Sequence, residues 1–252
     1  MAKLVIVGDV GGCLDQLSAA VADVLDDPDA VVVQVGDLVD RGPDSSGVLA
    51  FVQERLEESP RRWIQLVGNH ESQYLGADEF WPQRLGDDDA ALLRTWWLKE
   101  WMRVAAAVRT AEGEEFLLTH AGLTVSAWQQ LGEPVTAVTA ADLLNTRPEE
   151  LLWHDRGPLW AEAGPDVYES WLRAGPASPF GQIHGHSTIV DFRHRRWLCG
   201  ERIRQRSVVD WAARHTFTRI SASRFAGVDP KHGRDGAPQW APLVLPDAVL
   251  LG

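Results

Sequence analysis

The chain of 252 residues lacks several features that define whole classes of protein. No apolar run is long enough to span a bilayer, and the N-terminus has neither the length nor the cleavage site of a signal peptide, so we expect a cytoplasmic protein without membrane contact. Cysteine is scarce: Cys13 and Cys199 cannot form a disulfide framework and are expected to be free thiols. Basic residues are outnumbered by acidic ones, and the resulting net charge of −12 argues against general nucleic-acid binding.

The chain alternates between short apolar runs and segments in which apolar residues recur at helical spacing. With 45% hydrophobic residues and no internal repeat, it can bury a sizeable core. The first 70 residues follow a βαβαβ pattern, which predicts a parallel sheet with right-handed crossovers. The three strands of this pattern are predicted at 4–7, 29–35 and 63–67.

Beyond these strands the sequence pattern is less regular. Residues around 90–108 are predicted to be helical, and 131–180 to be helices joined by long loops. We expect one α/β domain over 1–252, with a core of about 4–220 and a loop-like segment over 222–241. The chain also has twelve tryptophans, and core packing is the favoured role for its cluster at 96–101, with a substrate-facing wall as the alternative.

Polar residues follow the predicted strands at the point where each strand ends. They are Asp9, Asp37, Asn69, His120 and His186. Ligands of open α/β sheets bind at the carboxyl ends of the strands, because side chains from several strands converge there. Two carboxylates, an amide oxygen and two imidazoles suit Mn²⁺, Zn²⁺ or Fe²⁺. Any one of these residues alone could be a turn residue bonded to local backbone, but five in register favour a metal site.

The stretch VGDVGG at 7–12 raises a separate question. It could be a phosphate-cradling glycine loop, a tight turn without chemistry, or a metal site that lacks a ligand. It matches neither the GxGxxG nor the GxxxxGK pattern, which weakens the first interpretation.

Four motifs together resemble the calcineurin-like metallophosphoesterases. They are GDLVDRG at 36–42, GNHE at 68–71, THAG at 119–122 and HGHS at 184–187, and they occur in the family's order. The branch that they resemble is the phosphoprotein-phosphatase type, which includes bacterial protein phosphatases and diadenosine-tetraphosphate hydrolases. The resemblance covers roughly 4–220.

The resemblance implies an α/β fold of two facing mixed β-sheets flanked by helices, a four-layer sandwich, with a two-metal centre. Asp9 would bind the first metal and Asp37 would bridge both metals, while Asn69, His120 and His186 would complete the second. Two such cations grip a phosphate and lower the pKa of the attacking water. Mn²⁺ is the favoured ion, with Mg²⁺, Zn²⁺, Fe²⁺ and Co²⁺ open.

Other motif residues would act on the substrate. The family implies that His70 is the general acid and that Asp40 orients its imidazole. Arg41, Asn69 and Arg156 would bind the substrate phosphate. Arg156 is the last residue of LLWHDR at 151–156, which resembles a further block of the family. For either arginine the alternative is a structural salt bridge.

The family's first block reads GDxHG, and this chain has Gly11 where the histidine would be. The first metal position is therefore expected to be one imidazole short, giving one tight and one weak site. Another side chain could supply the ligand, with His184 and His154 as candidates, or water could fill the position, or the first metal could be absent. An engineered change at Gly11 is also open.

Two classes of function follow from this site. An enzyme would hydrolyse a phosphomonoester or phosphoanhydride in a phosphoprotein, a nucleotide or a dinucleoside polyphosphate. A catalytically weakened binding module of the same fold would only hold a phosphate or nucleotide. A basic run at 192–206, with six arginines and one glutamate, could attract a polyanion or could be a solvated strand pair.

Overall fold

The computed structural model describes residues 2–174, 177–231 and 239–252. The strands are β1 (Ala2–Val7), β2 (Ala30–Gln34), β3 (Trp63–Leu66), β4 (Met102–Arg103), β5 (Ala105–Arg109), β6 (Glu115–Thr119), β7 (Gly181–His184), β8 (Val190–Asp191), β9 (Arg196–Trp197), β10 (Ser207–Asp210), β11 (His215–Ile220), β12 (Ser223–Gly227) and β13 (Leu243–Leu251). The helices are α1 (Leu14–Leu25), α2 (Ser45–Glu58), α3 (Asn69–Ser72), α4 (Asp87–Leu98), α5 (Val125–Gln130), α6 (Ala137–Asn145), α7 (Glu149–Leu152), α8 (Glu169–Ala174) and α9 (Glu201–Arg204), and a π-helical turn (Ala163–Tyr168) precedes α8.

The βαβαβ pattern predicted for the first 70 residues is confirmed. β1, β2 and β3 run parallel, with β1 beside β2 and β2 beside β3. Helix α1 buries Leu17, Val21 and Val24, which lie on one face at helical spacing. Helix α2 begins at an aspartate cap, since the Asp44 side chain accepts a hydrogen bond of 2.8 Å from the Gly47 N–H.

The large sheet has the strand order β10-β11-β12-β7-β6-β5-β13-β1-β2-β3-β4. Its two halves share β13, which pairs with β1 through residues 243–248 and with β5 through 249–251. Apolar side chains from both halves form one cluster, with Leu4 and Ile6 from one half and Leu118 and Ile183 from the other. The halves therefore face each other across a core, as expected for an α/β sandwich.

The opposite faces of the same strands pack against helices. Val5 and Val7 of β1 belong to the cluster that holds the buried side chains of α1 and α2. On the other half, α6 lies against β5 and β6. The layers are thus helix, sheet, sheet and helix, which confirms the predicted fold class.

Two predictions of secondary structure are wrong. Residues 102–109 form β4 and β5 rather than the end of a helix, because β5 is paired on both sides, with β6 and β13. The segment 222–241 is not a loop throughout, because residues 223–227 form β12 between β11 and β7. Residues 232–238 of that segment lie outside the described residues.

Several smaller expectations are settled by the packing. Trp96 is fully buried and Trp97 and Trp101 pack against the core, which supports the packing role. Cys13 and Cys199 are free. Among the described residues, no helix is both long and apolar enough to cross a membrane.

Candidate metal centre

The polar residues that follow the strands meet at one edge of the sandwich. Asp9 follows β1, Asp37 follows β2, and Asn69 follows β3. His120 and His186 follow β6 and β7, which run parallel to each other in the other half of the sheet. The edge predicted from strand order therefore holds all five side chains.

Four of these side chains form a tight cluster. The amide oxygen Oδ1 of Asn69 lies 2.9 Å from Nε2 of His120 and 2.9 Å from Nδ1 of His186. Nε2 of His120 also lies 3.3 Å from Oδ1 of Asp37. Asp37, His120 and His186 each place one ligand atom within 4.8 Å of the others.

The lone pairs of this cluster converge. Nδ1 of His120 lies 2.9 Å from the Val35 carbonyl, which can only accept, so Nδ1–H is the donor and Nε2 of the neutral ring is an acceptor. Burial lowers the pKa of His120 and lowers the pKa of His186 to about 3, which keeps both rings neutral. Metal-binding histidines are usually oriented by such a backbone acceptor on the opposite nitrogen.

Oδ2 of Asp9 and Oδ2 of Asp37 are buried and have no hydrogen bond among the described residues. Burial disfavours ionisation of Asp37, but the facing His120, His70 and Arg41 outweigh it and hold the pKa of Asp37 below its usual value. A buried, ionised oxygen without a hydrogen bond is costly unless a cation neutralises it. The residues present therefore fit a divalent cation.

The first metal position is built differently. The Asp9 carboxylate accepts a hydrogen bond of 2.9 Å from the His186 N–H, and a Cβ on Gly185 would lie 2.1 Å from Oδ1 of Asp9. Gly185 thus leaves the space that this carboxylate occupies. Burial, then repulsion from Asp229 and Asp37, raises the pKa of Asp9 well above its usual value.

Neither histidine suggested for the first position is placed to fill it. His184 is fully buried, with Nε2 2.9 Å from the Tyr168 hydroxyl and Nδ1 3.0 Å from the Gly185 carbonyl. His154 is exposed, and its Nδ1 accepts the Arg156 N–H at 3.0 Å. Gly11 itself lies in the left-handed region, with φ +53°.

A second group of side chains lies beside the cluster. Nδ1 of His70 lies 2.6 Å from Oδ2 of Asp40, and Nε2 of His70 lies 2.8 Å from Nη2 of Arg41. Because a guanidinium can only donate, Nε2 is an acceptor here and Nδ1–H donates to Asp40. Nη1 of Arg41 lies 3.4 Å from Oδ2 of Asp37 and 3.9 Å from Oδ2 of Asp9.

Four residues of this site have left-handed backbone. Asp37, Asp40, Arg41 and His186 have φ of 55°, 69°, 63° and 60°. Left-handed backbone at residues other than glycine is unusual and is often retained where function requires it.

Arg156 does not join this group. Its side chain is 69% exposed, and its Nε lies 3.3 Å from Oδ1 of Asp166. The salt bridge that was the alternative is therefore present, and a phosphate-binding role for Arg156 stays a prediction.

Glu71, the last residue of GNHE, was not singled out from the sequence. Its fully buried carboxylate accepts the N–H groups of Asp37 at 2.9 Å, Leu38 at 2.8 Å and Gly68 at 2.8 Å, with the Val39 N–H at 3.4 Å. Burial and the Asp37 charge raise the pKa of Glu71 to about 7 despite these bonds. Glu71 thus ties the loop that carries Asp37 to the turn that carries the GNHE motif.

Three aromatic side chains, Phe80, Trp81 and Trp160, form what we call the aromatic rim. Phe80 and Trp81 lie edge-on to the His70 ring, with centroid distances of 5.0 Å and 4.9 Å. Trp160 contacts Phe80 at 4.8 Å and reaches the His186 ring at 6.5 Å. The tryptophans of the cluster at 96–101 pack in or against the core and do not belong to this rim.

A two-sheet α/β sandwich with a carboxylate, amide and imidazole cluster at one edge defines an α/β protein with a candidate metal site. The chain belongs to the calcineurin-like phosphoesterase family, whose model matches residues 2–216. It is 32% identical over 163 residues to the symmetrical bis(5'-nucleosyl)-tetraphosphatase of Pectobacterium atrosepticum, a match that covers 63% of this chain and 53% of that protein. The chain thus spans about half the length of this curated relative.

Two other matches are of different kinds. The chain is 42% identical over 74 residues to serine/threonine-protein phosphatase 1 of Salmonella typhimurium, covering 29% of this chain and 31% of that protein. It is similar in fold to a cold-active protein tyrosine phosphatase, with a TM-score of 0.55, 17% identity and coverage of 97% of this chain and 74% of that chain. At that identity the likeness concerns the fold alone.

Proposed function

We propose that this protein hydrolyses phosphomonoesters or phosphoanhydrides with the help of divalent cations. The observation that carries the proposal is the buried Oδ2 of Asp37, which has no hydrogen bond among the described residues and belongs to the cluster with His120 and His186. Cations held by the five strand-end residues would neutralise phosphate charge and acidify the attacking water. We favour Mn²⁺, because the donors are mostly oxygens and neutral imidazoles.

Phosphate binding and proton transfer fall to Arg41, His70 and Asp40. Arg41 presents its guanidinium beside Asp9 and Asp37, where it can bind phosphate oxygens. When a bound phosphate takes Arg41 as its partner, Nε2 of His70 can accept a proton from solvent, and Asp40 stabilises the charged ring through the 2.6 Å contact at Nδ1. His70 then protonates the leaving oxygen from Nε2.

The first metal position is proposed to be altered. Gly11 offers no side chain to it, so it lacks the imidazole that the family pattern would supply. We infer one tight position, formed by Asp37, Asn69, His120 and His186, and one weaker, exchangeable position at Asp9 and Asp37. Hard ions such as Mn²⁺ and Mg²⁺ tolerate water in a vacant ligand position better than softer ions do.

The aromatic rim favours a substrate with a flat leaving group. Phe80 is 40% exposed and lies beside His70, the residue that we assign to the leaving oxygen. Aromatic faces stack on nucleobases, and each such contact contributes about 1–3 kcal/mol. We therefore favour a nucleotide or dinucleoside polyphosphate over a phosphoprotein, in line with the bis(5'-nucleosyl)-tetraphosphatase match.

Hydrolysis assays with added Mn²⁺ test this proposal. Nucleotides formed from dinucleoside polyphosphates should appear fastest, followed by phosphate released from mononucleotides and then from phosphopeptides, and His120→Ala should lose both tight metal binding and turnover. Asp191→Asn, a carboxylate change in an exposed ion-pair cluster with His194 and Arg196, is the matched control and should leave both unchanged. Nucleotide binding without hydrolysis of any of these substrates would indicate a binding module instead.

A further inference from the structure

Strand β12 delivers another carboxylate to the metal edge. β12 runs parallel to β7, and Gly227 is the register partner of His184. Two residues further along each strand are Asp229 and His186. The Val228 N–H donates to the His184 carbonyl at 2.8 Å, so the two chains are still adjacent as they leave the sheet. Asp229 therefore stands at a strand end in the same way as the five predicted site residues.

The segment around Asp229 is pressed against the start of the first motif. A Cβ on Gly8 would lie 1.9 Å from the Val228 carbonyl oxygen and 3.1 Å from Cδ of Pro230. Residues 228–230 can pass this close to the first motif because Gly8, which directly precedes Asp9, has no side chain. Asp229 lies between those two contacts and is 1% exposed.

The charge of Asp229 also acts on Asp9. Burial, then repulsion from Asp229 and from Asp37, raises the pKa of Asp9. Oδ2 of Asp9 is buried and has no hydrogen bond among the described residues.

The whole edge carries more buried acid than its own cations can neutralise. Its buried carboxylates belong to Asp9, Asp37, Asp40, Glu71 and Asp229. Arg41, Lys231 and Arg214 are permanent cations that act on members of this group, which leaves the carboxylates in excess. Buried carboxylates are normally paired or coordinate metals, so the excess points to bound cations.

We propose that Asp229 takes the place of the histidine missing at Gly11 as a protein ligand of the first metal. This inference rests on the proposed function, in which the first position is built on Asp9 and Asp37. With Asp229 added, the position has three carboxylates and no nitrogen donor. An all-oxygen site of this kind selects Mn²⁺ and Mg²⁺ over Zn²⁺.

Lys231 forms an ion pair with Asp229. Its Nζ lies 3.4 Å from Oδ2 of Asp229, and its side chain is 48% exposed. The ammonium can therefore move toward solvent when a divalent cation binds the carboxylate. Because metal binding would break this ion pair, Lys231 adds to the weakness that we propose for the first position.

Mn²⁺ binding to the full chain, measured by calorimetry and by electron paramagnetic resonance, tests the proposal. The unaltered protein should bind two Mn²⁺ and show a spin-coupled pair. Asp229→Asn should keep the tight Mn²⁺, weaken the other by about 100-fold or more, and show isolated ions. Asp191→Asn, which removes the same charge elsewhere, should behave like the unaltered protein.

Further measurements keep the proposal open to refutation. Gly11→His in the Asp229→Asn background should restore a second bound ion, now with a preference for Zn²⁺. The proposal is overturned if Asp229→Asn binds two Mn²⁺ as tightly as the unaltered protein. It is also overturned if the unaltered protein binds one Mn²⁺ and Lys231→Met binds two, because the ammonium would then stand in for the first cation. This last comparison does not depend on the folding of any Asp229 variant.

The failure of this inference and the failure of the proposed function can be told apart. Two equally tight Mn²⁺ in Asp229→Asn, together with substrate hydrolysis by the unaltered protein, would remove the role of Asp229 and leave the hydrolase intact. Failure of the unaltered protein to hydrolyse any of the substrates named above would refute the hydrolase, while the Mn²⁺ stoichiometry would still decide whether Asp229 is a ligand.

Discussion

Replacing Glu71 should damage the metal centre without touching a metal ligand. Its carboxylate accepts three backbone N–H groups within 2.9 Å, from Asp37, Leu38 and Gly68. Each buried N–H left without an acceptor costs about 1–3 kcal/mol, so Glu71→Ala should lower the free energy of unfolding by roughly 3–6 kcal/mol once some water entry is allowed for. That is a large part of the roughly 5–15 kcal/mol by which a typical domain is stable, so the alanine variant is too destabilised to be the useful one.

Glu71→Gln is the sharper change, because it keeps one carbonyl oxygen and turns the other acceptor into a donor. Two N–H groups then face an NH₂ group, and we expect a loss of about 2–4 kcal/mol. A shift of about 1 Å in the loop that carries Asp37 can reduce turnover by about 100-fold. Glu71 acts here as a positioning residue, so metal affinity should fall together with kcat.

The matched control lies away from the metal edge. The Asn145 side chain accepts the N–H groups of Val104 at 2.9 Å and Ala105 at 3.1 Å, so Asn145→Ala also leaves backbone donors without an acceptor. Asn145→Ala should lower stability by about 1–3 kcal/mol but leave kcat and Mn²⁺ affinity unchanged at a temperature where it is folded. Chemical denaturation, Mn²⁺ calorimetry and steady-state kinetics on all three proteins give the comparison. A Glu71→Gln protein with native Mn²⁺ affinity and native kcat would refute the reasoning.

Three further perturbations test other parts of the site. His70→Asn should slow hydrolysis of alkyl phosphates by about 10²–10⁴-fold but affect nitrophenyl phosphate far less, and equal losses would point to a structural role. Gly11→His should raise Zn²⁺ affinity at the first position, measured by calorimetry, because a Cβ there lies 3.5 Å from the nearest heavy atom, the Asp40 carbonyl oxygen; unchanged Zn²⁺ binding would contradict this. Burial lowers the pKa of His184 to about 4, so the folded protein binds a proton there less readily than the unfolded chain does. Stability of the metal-free protein should therefore fall as pH drops from about 6.5 toward 4, by about 2 kcal/mol at pH 5 relative to His184→Gln, and parallel pH profiles in urea denaturation would rule this out.

The parts predicted correctly from the sequence are those that local patterns control. The βαβαβ segment has β-branched strands and helices with clear periodicity, and its strand ends place Asp9, Asp37 and Asn69 at one edge. His120 and His186 reach the same edge because each follows the end of its strand and β6 and β7 run parallel. For these residues, a position directly after a predicted strand is enough to predict the edge of the sheet at which the side chain lies.

The residues that were missed depend on pairing between distant segments. The run MRVAAAVR at 102–109 has the alanine content of a helix, but it becomes strand because β13, more than 130 residues later, pairs with β5. The strand β12 is short and holds a glycine, so the segment 222–241 was predicted as loop and Asp229 escaped notice. The signal that could have found Asp229 is the apolar run FAGV directly before it, which is the same arrangement that precedes Asp9.

The metal edge combines left-handed backbone with buried charge, and packing in the rest of the sandwich must offset the energetic cost of both. Four residues of this edge, Asp37, Asp40, Arg41 and His186, hold left-handed backbone at a cost of about 1–2 kcal/mol each. Glu71 fixes the loop of Asp37 through backbone N–H groups, so this geometry is set before any ligand arrives. The remaining cost is electrostatic, since the buried carboxylates repel one another. Cation binding is the event that relieves it, which is why stability and metal binding in this protein should be coupled.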